Sequence, residues 1–444
     1  MIRNIILLFL SCAIALSVQA QVPVTYYGQV QPILKKNCLS CHHENGNAPF
    51  SLEKWEDVQR KSVMIGWVTE SGYMPPWKAN PSYRHFSYER ILDSIEIATI
   101  QQWIAQGSIK GKVHKPVEKT TYSGPSRLDK LPDLVLKMKE SFPIEGNRQS
   151  TYICYKIPYE LERDTFISAL EFIPGNKSLV HHASCQFLEV SEYTDIFSGP
   201  NYFVYGKGQH VDDINDYRYL GLVDPHGQMP KEVFHYGWLP GVGPQIYMPG
   251  VGFRLPKKGV LLIRNFHYAP SPVPATDQSY FNLYFASQKV DRVIQFAGFR
   301  PQKLVTDTTV WKIPANTVQE YSIKVKFHDD VSLYAINPHM HQLGKDFKAY
   351  CVTPEKDTIP LIHITEWDFN WQEFYVYTQL LKIPKGSTLY AFAHFDNTDK
   401  NPLNPFFPPQ DVFFERGMED NDEMMRLVIL YLPYQNGDEF MSTE

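Results

Sequence analysis

Cysteine is scarce, six residues in a chain of 444, so no dense disulfide framework can hold this protein together. An excess of one charge is missing too. Lys and Arg number 43 against 48 Asp and Glu, a formal net charge of −5, and both signs are spread along the sequence. With no basic stripe, neither phosphate backbones nor anionic lipid headgroups find a complementary surface, and nucleic acid is excluded as a partner. After the first twenty residues no apolar run is long enough to cross a bilayer, so no transmembrane span is expected. The order of a Ser/His/Asp triad, a phosphate-cradling glycine loop, short repeats and low-complexity tracts are likewise absent, which sets aside hydrolase and nucleotide-dependent activities.

What is present begins with residues 1–20. Arg3 precedes the apolar run Ile5 to Leu10, and Val18-Gln19-Ala20 offers the small residues that signal peptidase requires ahead of Gln21. We read a signal peptide over 1–20 and an exported protein, periplasmic or extracellular. Cys12 offers a second route, acylation as a lipoprotein, although Phe9-Leu10-Ser11 makes a weak lipobox. Of the other cysteines, Cys38 and Cys41 belong to a motif described below, which leaves Cys154, Cys185 and Cys351 and at most one disulfide. We expect Cys154 with Cys185 and a free Cys351, although sequence alone does not fix the connectivity.

The length allows two or three domains. Residues 22–111 read as an α-helical module. Val30, Ile33 and Leu34 recur at helical spacing, Asp93 and Glu96 stand in capping-box positions, Gly107 closes the last helix, and Pro75, Pro76 and Pro81 force a loop between. Residues 112–130 are polar and rich in Lys, Thr, Ser, Gly and Pro, the composition of a linker. From Leu131 onward, short stretches rich in Val, Ile, Tyr and Phe alternate with Pro- and Gly-containing turns, as at Leu134 to Met138 and Leu261 to His267. That pattern predicts antiparallel β-sandwich, and about 300 residues suit two sandwiches in tandem better than one.

Cys38-Leu39-Ser40-Cys41-His42 has the pattern for covalent haem attachment. Two thiols reach the vinyl groups, and the adjacent imidazole supplies an axial nitrogen to iron. A zinc or redox CxxC pair is the ordinary alternative, but no second cysteine pair and no thioredoxin-like βαβ pattern accompany it. The other axial ligand is expected from Met74 in Gly72-Tyr73-Met74-Pro75-Pro76-Trp77, with Met64 and His85 as competitors. A thioether there would raise the haem potential and favour electron transfer. Over most of residues 25–110 the module resembles a class I-type cytochrome c.

Four separated motifs in the β region carry metal-ligand chemistry. His181-His182 are neighbours, and on a regular strand neighbours point to opposite faces, so both reach one metal only at a strand end or an irregularity. His267 follows the apolar run Val260 to Ile263; alone, it is as readily structural. His339 and His341 are two apart, so on a strand they share a face and can chelate one ion. Asp422-Glu423-Met424-Met425 precede the apolar strand Leu427 to Leu432, where a methionine is ordinarily core.

In this order and near this spacing, the four motifs resemble the ascorbate-dependent type II copper monooxygenases, the peptidylglycine α-hydroxylating and dopamine β-monooxygenase family, over roughly residues 131–436. Thr151-Tyr152-Ile153-Cys154, Gly250-Val251-Gly252-Phe253-Arg254, the HxHxLGK pattern from His339 to Lys345, and Asp422-Glu423-Met424 carry the likeness. The resemblance implies two tandem, jelly-roll-like copper subdomains, placed at 131–288 and 289–436. It implies an electron-storing copper at His181, His182 and His267, and an oxygen-activating copper at His339, His341 and Met424 beside the substrate. Three imidazoles suit a copper that cycles between oxidation states, whereas a soft thioether favours Cu(I), the form that reacts with dioxygen. The implied activity is hydroxylation of a C–H bond in a small organic molecule, with dioxygen as co-substrate.

Three departures matter. Peptide-hydroxylating members hold the substrate carboxylate with an arginine two residues before the HxH motif and a tyrosine four after the ligand methionine; here Asn337 and Val428 stand there, which argues against a C-terminal peptide glycine. The family's disulfides are also largely missing, so packing must replace them, with Trp367, Phe369, Trp371 and Phe374 as contributors. Animal members draw electrons from ascorbate, whereas this chain carries a haem motif, so the expected cofactors are two copper ions and one covalently attached haem c, with an external donor reducing the haem. A non-catalytic haem/copper electron-transfer or copper-binding protein is the competing reading. His235, His394, Asp422 and Glu423 are candidates to orient the ligands.

Overall fold

The structure is a computed structural model, and it describes residues 22–44, 46, 48–113, 128, 130–206, 213–301, 312–413 and 422–443. The signal peptide, Cys12 and most of the linker lie outside the described residues. Among the described residues no helix is long and apolar enough to cross a membrane.

The N-terminal part is helical, with α1 (Gln31–Asn37), α2 (Trp55–Arg60), α3 (Ser62–Glu70) and α4 (Ser94–Ala105). The capping box at α4 forms as expected: Asp93 accepts from the Glu96 N–H, and the Glu96 side chain accepts from the Asp93 N–H. Such a cap satisfies two N–H groups that the helix leaves open. Val30, Ile33 and Leu34 turn inward onto Ile65, Ile100 and Trp103 in one small core.

The segment between α3 and α4 does not stay with the helices. Ala79 bridges to Ile364 and Phe86 to Tyr377, both apolar side chains are buried in the core of the C-terminal half, and Arg90 pairs with the buried Glu373. The physical reason is area. A four-helix module of this size has too little core to cover Trp77, Ala79 and Phe86, so they complete someone else's.

The rest of the described chain is mostly β, with no barrel. Its first half contains β1 (Leu134–Lys137), β2 (Phe142–Ile144), β3 (Thr151–Glu160), β4 (Thr165–Ile173), β5 (Val180–Glu189), β6 (Tyr202–Val204) and β7 (Lys231–Trp238). It continues with β8 (Gln245–Ile246), β9 (Val251–Leu255), β10 (Lys258–Tyr268), β11 (Ala275–Asp277), β12 (Tyr280–Phe285) and β13 (Arg292–Val293). A short helix, α5 (Asp213–Tyr219), lies between β6 and β7; too short for a periodic signal, it escaped the sequence reading. One sheet runs β6-β3-β10-β5-β7 and faces another, β1-β12-β4-β9-β13. Phe172, Phe187, Phe234, Phe253 and Phe281 fill the space between them, and each such ring contributes about 1.5–3 kcal/mol of burial.

The second half contains β14 (Gln295–Phe299), β15 (Lys312–Ile313), β16 (Val318–Lys326), β17 (Val331–His339) and β18 (Gly344–Val352). β19 (Thr358–Ile364), β20 (Tyr375–Ile383), β21 (Thr388–Asp396), β22 (Val412–Phe413) and β23 (Arg426–Pro433) complete it. Sheets β14-β23-β17-β20 and β16-β21-β18-β19 face each other, a pair that fits the expected sandwich. The first of these sheets is buried on both faces: Leu333, Ile336 and Leu427 point into their own core, while Tyr334, Leu430 and Leu432 join the core of the first half. That explains the unbroken burial of β17 from Val331 to Ile336, which lacks the alternation of a half-exposed strand.

The expected Cys154–Cys185 disulfide does not exist; the described cysteines are all free. β3 and β5 flank β10, and Ile263 is abreast of Tyr155 on one side and Cys185 on the other. Two strand spacings, about 10 Å, separate the pair, beyond the reach of an S–S bond. Cys154 also points to the opposite face, toward Leu188, Leu220 and Leu262.

Arg292, at the end of the first half, donates to both carboxylate oxygens of Asp438, and Ser332 donates to the same group. Burial alone would raise the Asp438 carboxyl, but these donors outweigh it and hold it below the usual carboxylate range. A carboxyl depressed in the folded state contributes stability above its unfolded pKa and loses it as pH falls through the folded value. We therefore expect thermal stability to drop below about pH 4, and Asp438→Ala to cost about 3–5 kcal/mol at neutral pH by stranding a buried guanidinium. Denaturant melts of both proteins across pH 3–7 check this; parallel curves would contradict it.

Candidate metal centres

His181, His182 and His267 come together, each with one ligand atom within 4.8 Å of the others. The backbone irregularity that adjacent histidines require is present. On β10, His267 is abreast of His182 and Tyr268 abreast of Val180, so His181 is an extra, bulged residue. Such a bulge swings a side chain off its alternate face. A second irregularity on β10, between Ile263 and Phe266, contains Asn265 at φ 48° and turns His267 toward the pair.

Nδ1 of His181 lies 3.2 Å from Nδ1 of His182 and 3.2 Å from Nδ1 of His267. Nε2 of His267 is buried without a hydrogen-bond partner. Tyr152 stacks on the His267 ring at 4.2 Å and fixes its plane. Burial, then the neighbouring imidazoles, lowers His182 far below the usual histidine value and brings His267 down to about 3. Three convergent imidazoles, two of them held neutral by burial and His267 with its Nε2 buried without a partner, are a donor set that a copper or zinc ion takes, so the residues fit a metal.

The second cluster forms where β17 meets β23. His339 is the last residue of β17 and is abreast of Arg426 on β23. Met340 is fully buried in the core, which sends His339 and His341 the other way; their rings are 5.1 Å apart. The ladder ends at His339 and Arg426, and His341 and Met424 lie two residues beyond it on their respective chains. Met424 is half-buried, and Met425 beside it is the core residue. The ordinary expectation for a methionine here thus falls on Met425.

Glu423 holds this corner. Its Oε1 accepts from the backbone N–H of His341 and of Met424, and its Oε2 accepts from Leu343 N at 3.0 Å. The carboxylate stands in for the ladder partner that β17 loses after His339, which keeps His341 aligned although the strand has ended. Burial pushes the Glu423 carboxyl up to about 8 against those three donors. The carbonyl of Asp422 lies 2.9 Å from His341 Nδ1, an arrangement that leaves Nε2 for a metal.

Phe369 separates the two clusters. Its ring centroid lies 6.4 Å from that of His182 and 5.3 Å from that of His341, so the clusters face one another across one aromatic side chain. Trp367 anchors the same loop by donating to the His341 carbonyl at 3.0 Å. These aromatics were legible as packing residues; their position between the clusters had no sequence signal. His235 is buried on β7, 2.8 Å from Glu232 and 3.4 Å from Ser184 Oγ. His394 sits on the outer sheet between Asp346 and Glu320, so its candidacy to orient a ligand falls. Asn337 donates to the Glu373 carbonyl at 2.7 Å and Val428 is buried, so neither position offers a carboxylate clamp.

In the helical part, His42 Nδ1 lies 3.0 Å from the Phe50 carbonyl, which fixes the tautomer and leaves Nε2 for an axial bond. Cys38 and Cys41 are unbridged, and burial pushes the Cys38 thiol up to about 12. Met74 stands half-buried in the loop after α3. His85 is exposed and pairs with Glu89, and Met64 is 42% exposed, so of the three candidates Met74 is the most enclosed. Two unbridged thiols beside an oriented imidazole are the residue types that a covalently attached haem would use.

Paired β-sandwiches carrying a three-imidazole cluster define a metal-binding class of β protein. Residues 303–440 match the family model of the copper type II ascorbate-dependent monooxygenase C-terminal domain. The match supports that family and, in general terms, copper-dependent monooxygenase function. Curated proteins give no match. Among solved structures, the "Structure of PNGF-II in P21 space group" shares 9% identity over 68% of this chain and 66% of that one, at a TM-score of 0.27. The "Structure of infectious bursal disease virus Gx strain" shares 9% over 72% and 77%, at 0.16. The chain thus spans just under two thirds of the first, and likenesses at these TM-scores carry no argument.

Proposed function

We propose that this protein is an exported copper-dependent monooxygenase that hydroxylates a C–H bond of a small organic molecule with dioxygen, and that a c-type haem attached through Cys38 and Cys41 delivers its electrons. The observation that carries the reading is the convergence of His181, His182 and His267 on a bulged sheet, in a chain whose C-terminal part matches the copper monooxygenase model.

Bound copper would supply one-electron redox chemistry and, at the thioether-containing cluster, reaction with dioxygen. His181, His182 and His267 would hold the electron-storing ion, and His339, His341 and Met424 the oxygen-activating one. The bulged strand keeps three imidazoles pre-aligned, so little reorganisation accompanies a change of metal charge. Glu423 and the Asp422 carbonyl aim His341, while Phe369, packed against His182 and His341, would line the space between the two ions. Cys38, Cys41, His42 and Met74 would hold the haem, which would supply one-electron transfer, with the Phe50 carbonyl orienting His42.

Removing copper with a chelator should abolish substrate-dependent oxygen uptake and leave the haem absorption bands intact, and added copper should restore uptake. Oxygen uptake that is absent in the copper-loaded protein with every candidate substrate, while the haem still cycles, would favour an electron-transfer protein instead.

A further inference from the structure

The haem-motif cysteine Cys41 touches the first sandwich. A methyl group on Gly241 would lie 2.6 Å from Cys41 Sγ, so the Gly241 backbone is in direct contact with the thiol. Gly241 also has φ +94°, a conformation that side-chain-bearing residues rarely adopt. Two independent features thus require glycine at the one place where the helical part meets this loop. Gly243, two residues on, has open space around it.

The loop leads straight to the histidines. Val242 N donates to the Leu239 carbonyl at 3.0 Å, which folds the loop back onto the end of β7. Trp238, the last residue of β7, is fully buried and abreast of Ala183 on β5. Ala183 follows His182 directly, and His182 is abreast of His267. From Cys41 to the three-imidazole cluster, the path crosses one van der Waals contact, three residues of backbone and one strand pairing. A second junction, where the segment around Trp77 and Arg90 meets Tyr375 and Glu373, follows closely on Met74 but leads to the second sandwich, not to the sheet that carries His181, His182 and His267.

We propose that the Cys41–Gly241 contact is the port through which electrons pass from the haem to the His181/His182/His267 cluster, with Trp238 and β7 as the conduit. The proposal rests on the haem and copper reading above and adds its route. One electron crosses per event: ferrous haem becomes ferric as cupric ion at the cluster becomes cuprous, and no bond is made or broken. An external one-electron donor then reduces the haem again.

The test uses the full-length protein with ferric haem and Cu(II) in place; a laser pulse on an added photoreductant reduces the haem anaerobically, and its reoxidation is followed by absorbance. Wild-type haem should reoxidise with a first-order rate independent of protein concentration. Gly241→Asn keeps a residue that tolerates positive φ but inserts a side chain at the port, and it should slow the rate roughly tenfold or more. Its haem spectrum, haem potential and cupric EPR signal should stay as in wild type, and Gly243→Ala should match wild type throughout. No reoxidation in wild type would sink the haem-relay reading itself. Reoxidation in wild type with an equal rate in Gly241→Asn, both centres intact, would overturn the port alone. Should Gly241→Asn fail to hold either centre, the wild-type concentration series decides: a rate that scales with protein concentration means transfer between molecules and overturns the port.

Discussion

Met424→Ala is expected to reduce substrate-dependent oxygen uptake by more than about a hundredfold, beyond the 10–100-fold that losing an orienting neighbour costs. Met424 is half-buried just past the end of the β17–β23 ladder, and Met425 fills the core instead, so truncation removes the proposed ligand without opening a cavity. The haem bands and the copper held by His181, His182 and His267 should persist. Met425→Ala is the contrasting variant: it should lower stability by about 2–5 kcal/mol, as a core truncation does, and retain ligation in the molecules that fold. Oxygen uptake combined with copper analysis separates the two effects. A Met424→Ala protein with wild-type turnover would remove the thioether from the site.

Glu423→Ala is expected to have the largest effect on stability together with ligation. Three backbone N–H groups, from His341, Leu343 and Met424, end on this one buried carboxylate. Leaving a buried donor unsatisfied costs about 1–3 kcal/mol each, so the loss should be roughly 3 kcal/mol or more. Copper affinity at His339, His341 and Met424 should fall by about 10–100-fold as His341 loses its alignment. Glu423→Gln keeps the shape but turns amide hydrogens toward backbone donors, and should lie between. Melting curves and copper titrations read both effects. An Ala variant with an unchanged midpoint and unchanged affinity would show that Glu423 is a bystander.

Much of this was legible from residue patterns because the patterns encode local geometry. The i,i+2 spacing of His339 and His341, the capping box at Asp93 and Glu96, and the apolar strands around Val260 and Leu427 each follow from periodicity. The adjacent pair His181-His182 posed a problem that sequence could state without solving: one of two neighbours had to leave its face. The bulge at His181 resolves it, and a bulge depends on pairing with a distant strand, so nothing local announces it. Glu423 was named as a candidate, but two of its three backbone partners, His341 and Leu343, come from about eighty positions away.

The disulfide expectation failed for a related reason. Thirty-one residues separate Cys154 from Cys185 in sequence, yet β10, drawn from far downstream, inserts between their strands. Phe369 and Gly241 were equally hidden. Their roles arise from contacts between parts of the chain that fold separately in sequence terms, and the excursion around Ala79 and Phe86 is the same effect on a larger scale.

Copper counted per chain, alongside a pyridine haemochrome assay on the same sample, tests the account most directly. Wild-type protein should hold two coppers and one haem, and His267→Ala should hold one copper with the haem unchanged. A wild-type protein that takes up no copper, or a His267→Ala protein that still binds both ions with undiminished affinity, would contradict it.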